Sequence, residues 1–375
     1  MIRYLTAGES HGKGLTVIIE GVPAGLEISK DYIESELKRR KQGYGRGGRQ
    51  QIETDEIEIL SGIRFGRTIA SPIAILLRNK DFENWTEIME PMAEIPADYE
   101  DMATPRPGHA DYAGVMKYGF EDIRNVLERS SARETAMRVV VGAFAKKVLE
   151  DIGVQITSYV TNIGGVKLEE DLQDLEEINK RKKNSKVMTV DKALEKKMIK
   201  AIDKANADGL ALGGEVKVVT SVMPVGLGSY VQWDRKLDAN IAKAVMSVQA
   251  IKGVEIGMGF EVANNTGDKV HDPFLLEEDH IVRESNNAGG IEGGMSNGEP
   301  IIVTAAMKPI PTMKTPLASV NLVTDESVTT FYERADVCAV PACSVICEHV
   351  VAIELVNALL DKFGGDSMAE LTGEL

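Results

Sequence analysis

The chain has 375 residues, with 43 Lys and Arg against 58 Asp and Glu, for a formal net charge of −15. That balance excludes a general polyanion binder such as a non-specific nucleic-acid domain, although a few arginines in a pocket can still reverse the local field for a small anion. A hydrophobic share of 43% excludes a disordered chain; no apolar run approaches the roughly 18 residues of a membrane span, and residues 1–14 hold no signal-peptide core.

In chain order, residues 15–19 read as a strand and 30–42 as a charged, peripheral helix. Strand-like stretches at 52–60 and 69–77 follow with no helix between them, which favours antiparallel pairing. Residues 132–151 form a helix carrying Met137, Val139, Val140, Val141, Phe144, Val148 and Leu149, apolar on more than one face and therefore buried on more than one side. A strand at 154–163 leads into a charge-rich solvated excursion over about 164–195, within which a second charged helix begins near Asp191. Further strands are expected at 215–222, 254–260 and 300–307, and further apolar helices at 237–251 and 347–363. Residues 364–375 are a short acidic tail without a visible task. The pattern is α+β: a layered β-α-β sandwich of antiparallel sheets enclosing buried helices, in a single unit over 1–375. Helix-to-strand passages through Ile152-Gly153-Val154 and Lys252-Gly253-Val254 read either as ordinary glycine capping or as an internal duplication.

Cys338, Cys343 and Cys347 cannot complete a disulfide framework, and with His349 they match no zinc spacing. Buried reduced thiols, no metal and a cytoplasmic setting are expected.

The residues able to do chemistry cluster in short motifs. Residues 43–48 contain G-x-G-x-x-G, but a charged helix precedes them where a dinucleotide fold needs a strand. Lys38, Arg39, Arg40, Lys41, Arg46 and Arg49 around four glycines suggest an anion-binding loop, with a basic surface loop as the alternative. Arg129-Ser130-Ser131-Ala132-Arg133-Glu134 opens the first buried helix, Ser131 and Glu134 fitting a capping box. Free amides at that helix start, beside Arg129 and Arg133, suit a phosphate or carboxylate; a plain cap with surface arginines is the competing reading. His11 and His109 sit among small residues that leave an imidazole accessible for proton transfer, or serve only structure. His271 and His280, amid acidic residues, carry no such signal. Glycines at 289, 290, 293, 294 and 298, the segment Lys308-Pro309-Ile310-Pro311-Thr312, and Arg334-Ala335-Asp336 look like loops gathered around a ligand.

Together these segments resemble the chorismate synthase family. Gly8-Glu9-Ser10-His11-Gly12, Arg129 through Thr135, and Arg334-Ala335-Asp336 through Pro341 to Glu348 are similar to its three signatures. Residues 43–49, 105–111, 225–229 and 308–312 also fit, so the likeness runs from Met1 to about Phe363. The resemblance implies a tetrameric β-α-β sandwich that converts 5-enolpyruvylshikimate 3-phosphate to chorismate and phosphate by 1,4-elimination. It implies a requirement for reduced FMN without net redox change, the flavin lending an electron transiently during C–O cleavage.

Ser10, Arg40, Arg46, Arg49, Arg106, Ser131, Arg133 and Arg334 are then expected at the substrate, whose phosphate and two carboxylates call for guanidinium partners. Arg129, Ser130, Ser131, Gln249, Ala250, Gly293, Lys308, Pro309, Ile310, Pro311, Thr312 and Arg334 are expected at FMN, and Arg40 and Arg46 are also NADPH positions in the family. By resemblance His11 protonates the departing phosphate, His109 protonates the reduced flavin, and Asp336 assists flavin N5. Gln249 departs from the smaller residue or Asn of many relatives, which suggests a backbone-mediated contact there. The insertion of bifunctional relatives is not seen, so an external flavin reductase is the expected source of reduced FMN. The alternative function is an NADPH-dependent flavin reductase. Neither nucleic acid nor membrane is expected as a partner.

Overall fold

The computed structural model describes residues 1–48, 52–332 and 335–373; Arg49 and Arg334 lie outside them. Near the N-terminus, β1 (Arg3–Ala7) and β2 (Gly14–Glu20) pair antiparallel, and α1 (Lys30–Lys41) follows behind an N-cap in which Ser29 accepts the Tyr32 N–H at 3.1 Å. With β3 (Ile57–Ile59) and β4 (Ile73–Arg78) they form an antiparallel sheet in the order β1-β2-β4-β3. Leu15, Val17 and Ile19 on β2 and Ile73, Ile75 and Leu77 on β4 are all buried, because a period of two sends alternate side chains to one face.

The strand expected over 52–60 is confined to β3. Asp55 takes a left-handed φ of 56°, and Glu53 and Asp55 turn inward to meet Arg133, which breaks the extended run. A short hairpin, Ile63–Arg64 with Arg67–Thr68, intervenes, and the strand expected over 69–77 begins only at Ile73, after Ala70 at φ 60° and Pro72.

The central helix α4 (Thr135–Asp151) follows α2 (Asp111–Tyr118) and α3 (Arg124–Ser130) and lies against β1 and β2. A second antiparallel sheet is built from β5 (Ile156–Ile163), β6 (Val166–Lys167), β7 (Gly214–Val222), β8 (Ile251–Ile256) and β9 (Pro300–Met307), in the order β8-β9-β7-β5-β6. Between β6 and β7 come α5 (Leu175–Lys182) and α6 (Lys192–Ala207), and α7 (Leu237–Met246) precedes β8. The long helix α8 (Val340–Phe363) packs against α4 on one side and β5 and β7 on the other. Sheet, inner helices and sheet are thus stacked as expected, and one apolar core runs from Ile2 to Met368.

Helix α8 corrects the reading that no apolar run reaches membrane length. By length and composition it could span a bilayer, but 83% of its apolar window is buried inside the protein. It begins earlier than expected because Pro341 fits the first turn, where no intrahelical N–H is needed. Helix α7, in contrast, stops at Met246: Ala250 turns left-handed at φ 69° and Ile251 already pairs with Met307 in β8.

The two passages of the candidate repeat differ locally. Gly153 stands between α4 and β5 at φ 81°, whereas Gly253 lies inside β8 at a register shift. The excursion over 164–195 is more than a solvated loop, since Tyr159, Leu168, Ile178, Val190 and Val219 form a small core of their own beneath it. There the Lys182 ammonium donates to the Ser158 carbonyl at 2.8 Å, and burial pushes its pKa down to about 8. The acidic tail also has a place: α9 (Met368–Thr372) docks through the Met368 N–H to the Ala24 carbonyl at 2.9 Å.

The three cysteines are free and buried, with the Cys343 and Cys347 sulfurs 3.8 Å apart. His349 does not join them. Its Nδ1 faces the Val345 carbonyl at 2.7 Å and its Nε2 faces Glu36 Oε2 at 3.0 Å. Between α1, α4, α8 and β5 lies a buried ionic cluster: Arg39 grips both Glu348 oxygens at 2.7 and 2.9 Å, Lys146 reaches Glu348 at 2.6 Å and Glu36 at 3.1 Å, and the Ser158 hydroxyl donates to Glu348 at 2.8 Å. Glu36, Glu348 and His349 could together offer three metal-ligand atoms, but Arg39 and Lys146 already supply the positive charge.

Alongside this cluster α4 and α8 touch closely at Gly142. A Cβ there would lie 2.3 Å from that of His349. Gly142→Ala is therefore expected to destabilise by about 1–3 kcal/mol despite the higher helix propensity of alanine, which a denaturant melt would show.

Candidate active site

Eight chain segments converge on a cavity of about 550 Å³: the β1–β2 turn, the end of α1 with the loop after it, the segment after β4, the entry to α2, the α3–α4 junction, the α7–β8 turn, the segment after β9, and the approach to α8 with its first turns. Leu127, Val248, Ala250, Ile310, Ala339 and Ile346 give its wall apolar surface. Arg40, Arg46, Arg106 and Arg133 supply guanidinium groups to the same wall, as Ser10, Ser130 and Ser131 supply hydroxyls.

Local hydrogen bonds explain how the motifs are held. The Asn79 amide donates to the carbonyls of Glu9, Ser10 and Gly12 at 3.1, 3.1 and 2.8 Å, and its Oδ1 accepts from Arg133 Nε and Nη2 at 3.2 and 3.1 Å. One side chain thereby locks the His11 turn to the arginine motif. Arg133 completes its contacts on Asp55 at 2.5 Å and Glu53 at 3.4 Å. Lys308 reaches the Gly108 carbonyl and Arg106 reaches the Thr312 hydroxyl at 3.2 Å, which ties the His109 loop to the 308–312 segment.

Each of the two histidines on the wall is backed by a carboxylate. His11 Nδ1 lies 2.9 and 3.0 Å from the two Glu128 oxygens, and the His11 backbone N–H donates to the same group at 2.8 Å. Burial would raise the Glu128 pKa, but the hydrogen bonds and charge of His11, with the charge of Arg124, hold it below its ordinary value. The His11 ring also lies against Trp85, their centroids 4.3 Å apart. His109 Nδ1 is 2.5 Å from Asp111 Oδ1, and Arg106 grips the same carboxylate through Nε at 2.8 Å and Nη2 at 3.1 Å. Against the upward push of burial, His109 and Arg106 hold Asp111 well below the carboxylate range. A carboxylate on Nδ1 fixes the tautomer and leaves the proton exchange to Nε2.

Asp336 is held by Arg46 Nη1 at 2.9 Å and by the Gly47 N–H at 2.5 Å. Arg40 is buried at the end of α1, with Nε on the Thr135 hydroxyl at 3.0 Å and Nη2 on the Ala132 carbonyl at 3.1 Å. Burial lowers its pKa to about 10 although the charge of Asp55 opposes this, so it is cationic at neutral pH. Arg40 Nη1 and Arg46 Nε have no hydrogen-bond acceptor among the described residues.

One expectation is revised. The capping box does not form: Ser131 accepts from the Arg133 N–H at 3.3 Å, a 3₁₀ turn (Ala132–Glu134) precedes α4, and the Glu134 carboxylate instead binds Arg138 at 2.8 Å and Gln249 at 3.0 Å. Gln249 is on the cavity wall, and its buried Oε1 is left without a donor among the described residues. Arg129 is exposed, donating to Thr6 and Gly8 at 2.8 to 3.1 Å, and neither it nor Pro309 or Gly293 is on the cavity wall. Glu128, Asn79, Asp55, Glu53 and Trp85 were not foreseen. Only the i,i+4 spacing of Arg124 and Glu128 offered a local signal for any of them.

Carboxylate-backed histidines and several arginines on one cavity wall suit an enzyme that expels an anionic leaving group, as a carbon–oxygen lyase does. Residues 2–360 match the family described as chorismate synthase. The chain is 53% identical over 374 residues to a chorismate synthase of Syntrophotalea carbinolica, covering 100% of this chain and 97% of that one. It is 52% identical over 379 residues to that of Geobacter sulfurreducens (99% and 96% covered), and 53% identical over 375 residues to a "chorismate synthase 2" of Bacillus cereus (98% and 96%). A solved structure described as that of chorismate synthase superposes with a TM-score of 0.80 at 41% identity, covering 99% of this chain and 95% of the other. The chain belongs to the chorismate synthase family. It is a lyase of aromatic amino acid biosynthesis, forming chorismate and phosphate from 5-enolpyruvylshikimate 3-phosphate.

Proposed function

We propose that the elimination takes place in this cavity with reduced FMN bound against its apolar wall. The observation that carries the reading is the pair of buried guanidinium N–H groups, Arg40 Nη1 and Arg46 Nε, that lack acceptors beside two carboxylate-backed histidines. Buried donors without partners are costly, and the oxygens of an anionic ligand would satisfy them. The orphaned Gln249 Oε1 fits an N–H of a flavin edge, and Ser130, Ser131, Ala250, Lys308, Ile310, Pro311 and Thr312 are in place to hold that cofactor. Reduced FMN, when bound, supplies the transient electron that weakens the C–O bond.

The chain's own groups then have distinct tasks. Arg40, Arg46, Arg106 and Arg133, with Ser10 and Ser131, orient the phosphate and carboxylates; Arg49 and Arg334, expected at the substrate from the resemblance, lie outside the described residues. His11 delivers a proton from Nε2 to the departing phosphate oxygen as the C3–O bond breaks toward oxygen. His109 would hold an exchangeable proton at Nε2 for the cofactor, and Asp336 would assist the cofactor in accepting the hydrogen lost from C6. Arg40 and Arg46 are assigned to substrate ahead of NADPH, because both are buried and bonded within the cavity. The three free, buried cysteines fit a reducing cytoplasm. Exposed Leu5 and Ile18, paired across β1 and β2, and Leu276 and Ile281, paired across the hairpin 274–283, fit burial between copies of a homotetramer.

With chemically reduced FMN and substrate under anaerobic conditions, chorismate and phosphate are expected in equal amounts, read by absorbance and phosphate assay together. No product from folded, FMN-bound protein overturns the reading. NADPH oxidation with FMN alone would favour a flavin reductase; its absence would leave reduction to an external enzyme.

A further inference from the structure

The proposed function does not explain why a buried glutamate lies against the His11 ring. Glu128 is almost fully enclosed on α3, and both its oxygens meet His11, accepting its backbone N–H at 2.8 Å and facing Nδ1 at 2.9 and 3.0 Å. One turn earlier on the same helix, Arg124 donates to Glu128 at 3.0 Å and stacks its guanidinium over Trp85 at 4.8 Å. Trp85 in turn lies against the imidazole on another side. The turn is also held from behind, because the Ser10 N–H donates to the Glu128 carbonyl at 2.9 Å. The His11 ring is thus fixed by a carboxylate, an indole and a backbone clamp, while the residue lines the cavity.

We propose that Glu128 is the positioning residue of the His11 acid. It holds Nδ1 protonated in both charge states, so that Nε2 is the nitrogen that delivers the proton. In the step itself, the Nε2–H bond breaks and its proton joins the phosphate oxygen as that oxygen takes the C3–O electron pair. His11 ends neutral as the Nδ1–H form, and Glu128 stays ionised throughout, supported by Arg124. The inference rests on the role given to His11 above. The charged groups around the imidazole are Glu128 and Arg124 from α3, with Asp81 and Arg133 on the wall of the same cavity and Glu9 on its own loop.

The test has two arms. In ligand-free wild-type enzyme with ¹⁵N-labelled histidine, the His11 signal, identified among the five histidines by its loss in His11→Ala, is expected to show Nδ1 protonated above its titration. Imidazole in water prefers the Nε2–H form, so packing alone would not give this result. In Glu128→Gln the preference is expected to collapse. Turnover should fall roughly 10- to 100-fold, with KM changed less than about threefold. Glu128→Asp should restore part of the Nδ1–H preference and of the turnover. An Nε2–H tautomer in the wild type, or an unchanged tautomer with unchanged turnover in Glu128→Gln, overturns the proposal. Full turnover in His11→Ala would instead overturn the role of His11 while leaving the tautomer result standing.

Discussion

Glu348→Ala is expected to cost the fold about 3–5 kcal/mol, a third or more of the stability of an ordinary domain. The carboxylate accepts from Arg39, Lys146 and Ser158 in the centre of the sandwich, and its removal leaves a guanidinium and an ammonium buried without their main counter-charge. The same cluster sets an acid limit. Burial would raise Glu36, but the hydrogen bond and charge of His349, then Lys146 and Arg39, hold it at about 2. Glu348 is likewise held well below its ordinary value, its burial outweighed by the charges of Arg39 and Lys146. Folded values below unfolded ones mean that these groups stabilise the protein above the ordinary carboxyl range, near 4.3, and that this contribution is lost as pH falls toward about 2. The melting temperature of the wild type should drop across that window, and Glu348→Gln should flatten the drop. Glu177→Ala, on the exposed face of α5, should stay within about 0.5 kcal/mol. A Glu348→Ala protein that melts with the wild type would refute the account of the cluster.

Arg40→Met is expected to lower kcat/KM for 5-enolpyruvylshikimate 3-phosphate by about 10²- to 10³-fold, with most of the loss in KM. Its Nε and Nη2 are pinned by Thr135 and Ala132, so Nη1 is pre-aimed and costs little ordering when an anion arrives. Methionine keeps much of the length and apolar contact of the stem, which separates the effect from a packing loss. Arg40→Lys keeps a charge but not the planar fork, and is expected to recover only part of the loss. Titration calorimetry with the substrate reads the binding share directly. Affinity within twofold of the wild type would remove Arg40 from the substrate site.

The cavity was legible in the sequence because its wall comes from short motifs that keep their chemistry visible: His11 between small residues, Arg133 at a helix start, Lys308 before a proline. The layers were legible too, since α4 and β9 carry patterns that local context does not contradict. What was hidden is what those motifs lean on. Glu128 and Asn79 lie far along the chain from the His11 turn they hold, and no periodicity marks such a partner. Local rules failed where a side chain had a better use elsewhere. Glu134 fits a capping box by spacing yet binds Arg138 and Gln249, and Glu53 and Asp55 leave a strand-like stretch for Arg133. Helix α7 ends early because pairing of Ile251 with Met307 outweighs the continuing apolar pattern.

Taken together, most arginines of the cavity are already matched by acids of the same chain. Arg133 is matched by Asp55 and Glu53, Arg106 by Asp111, and Arg46 by Asp336. The chain therefore supplies its own competitors for the groups that a ligand must reach, and these arginines present little net field to the outside. A lone phosphate or a simple carboxylate must displace an internal acid already in good geometry, for little gain. A molecule bearing a phosphate and two carboxylates on a rigid ring can offer several replacements at once. On the proposed reading, selection would work by exchange, counting anionic groups and their spacing, rather than by attraction to charge. It also lets a protein of net charge −15 keep a cluster of guanidinium groups without drawing in every passing anion.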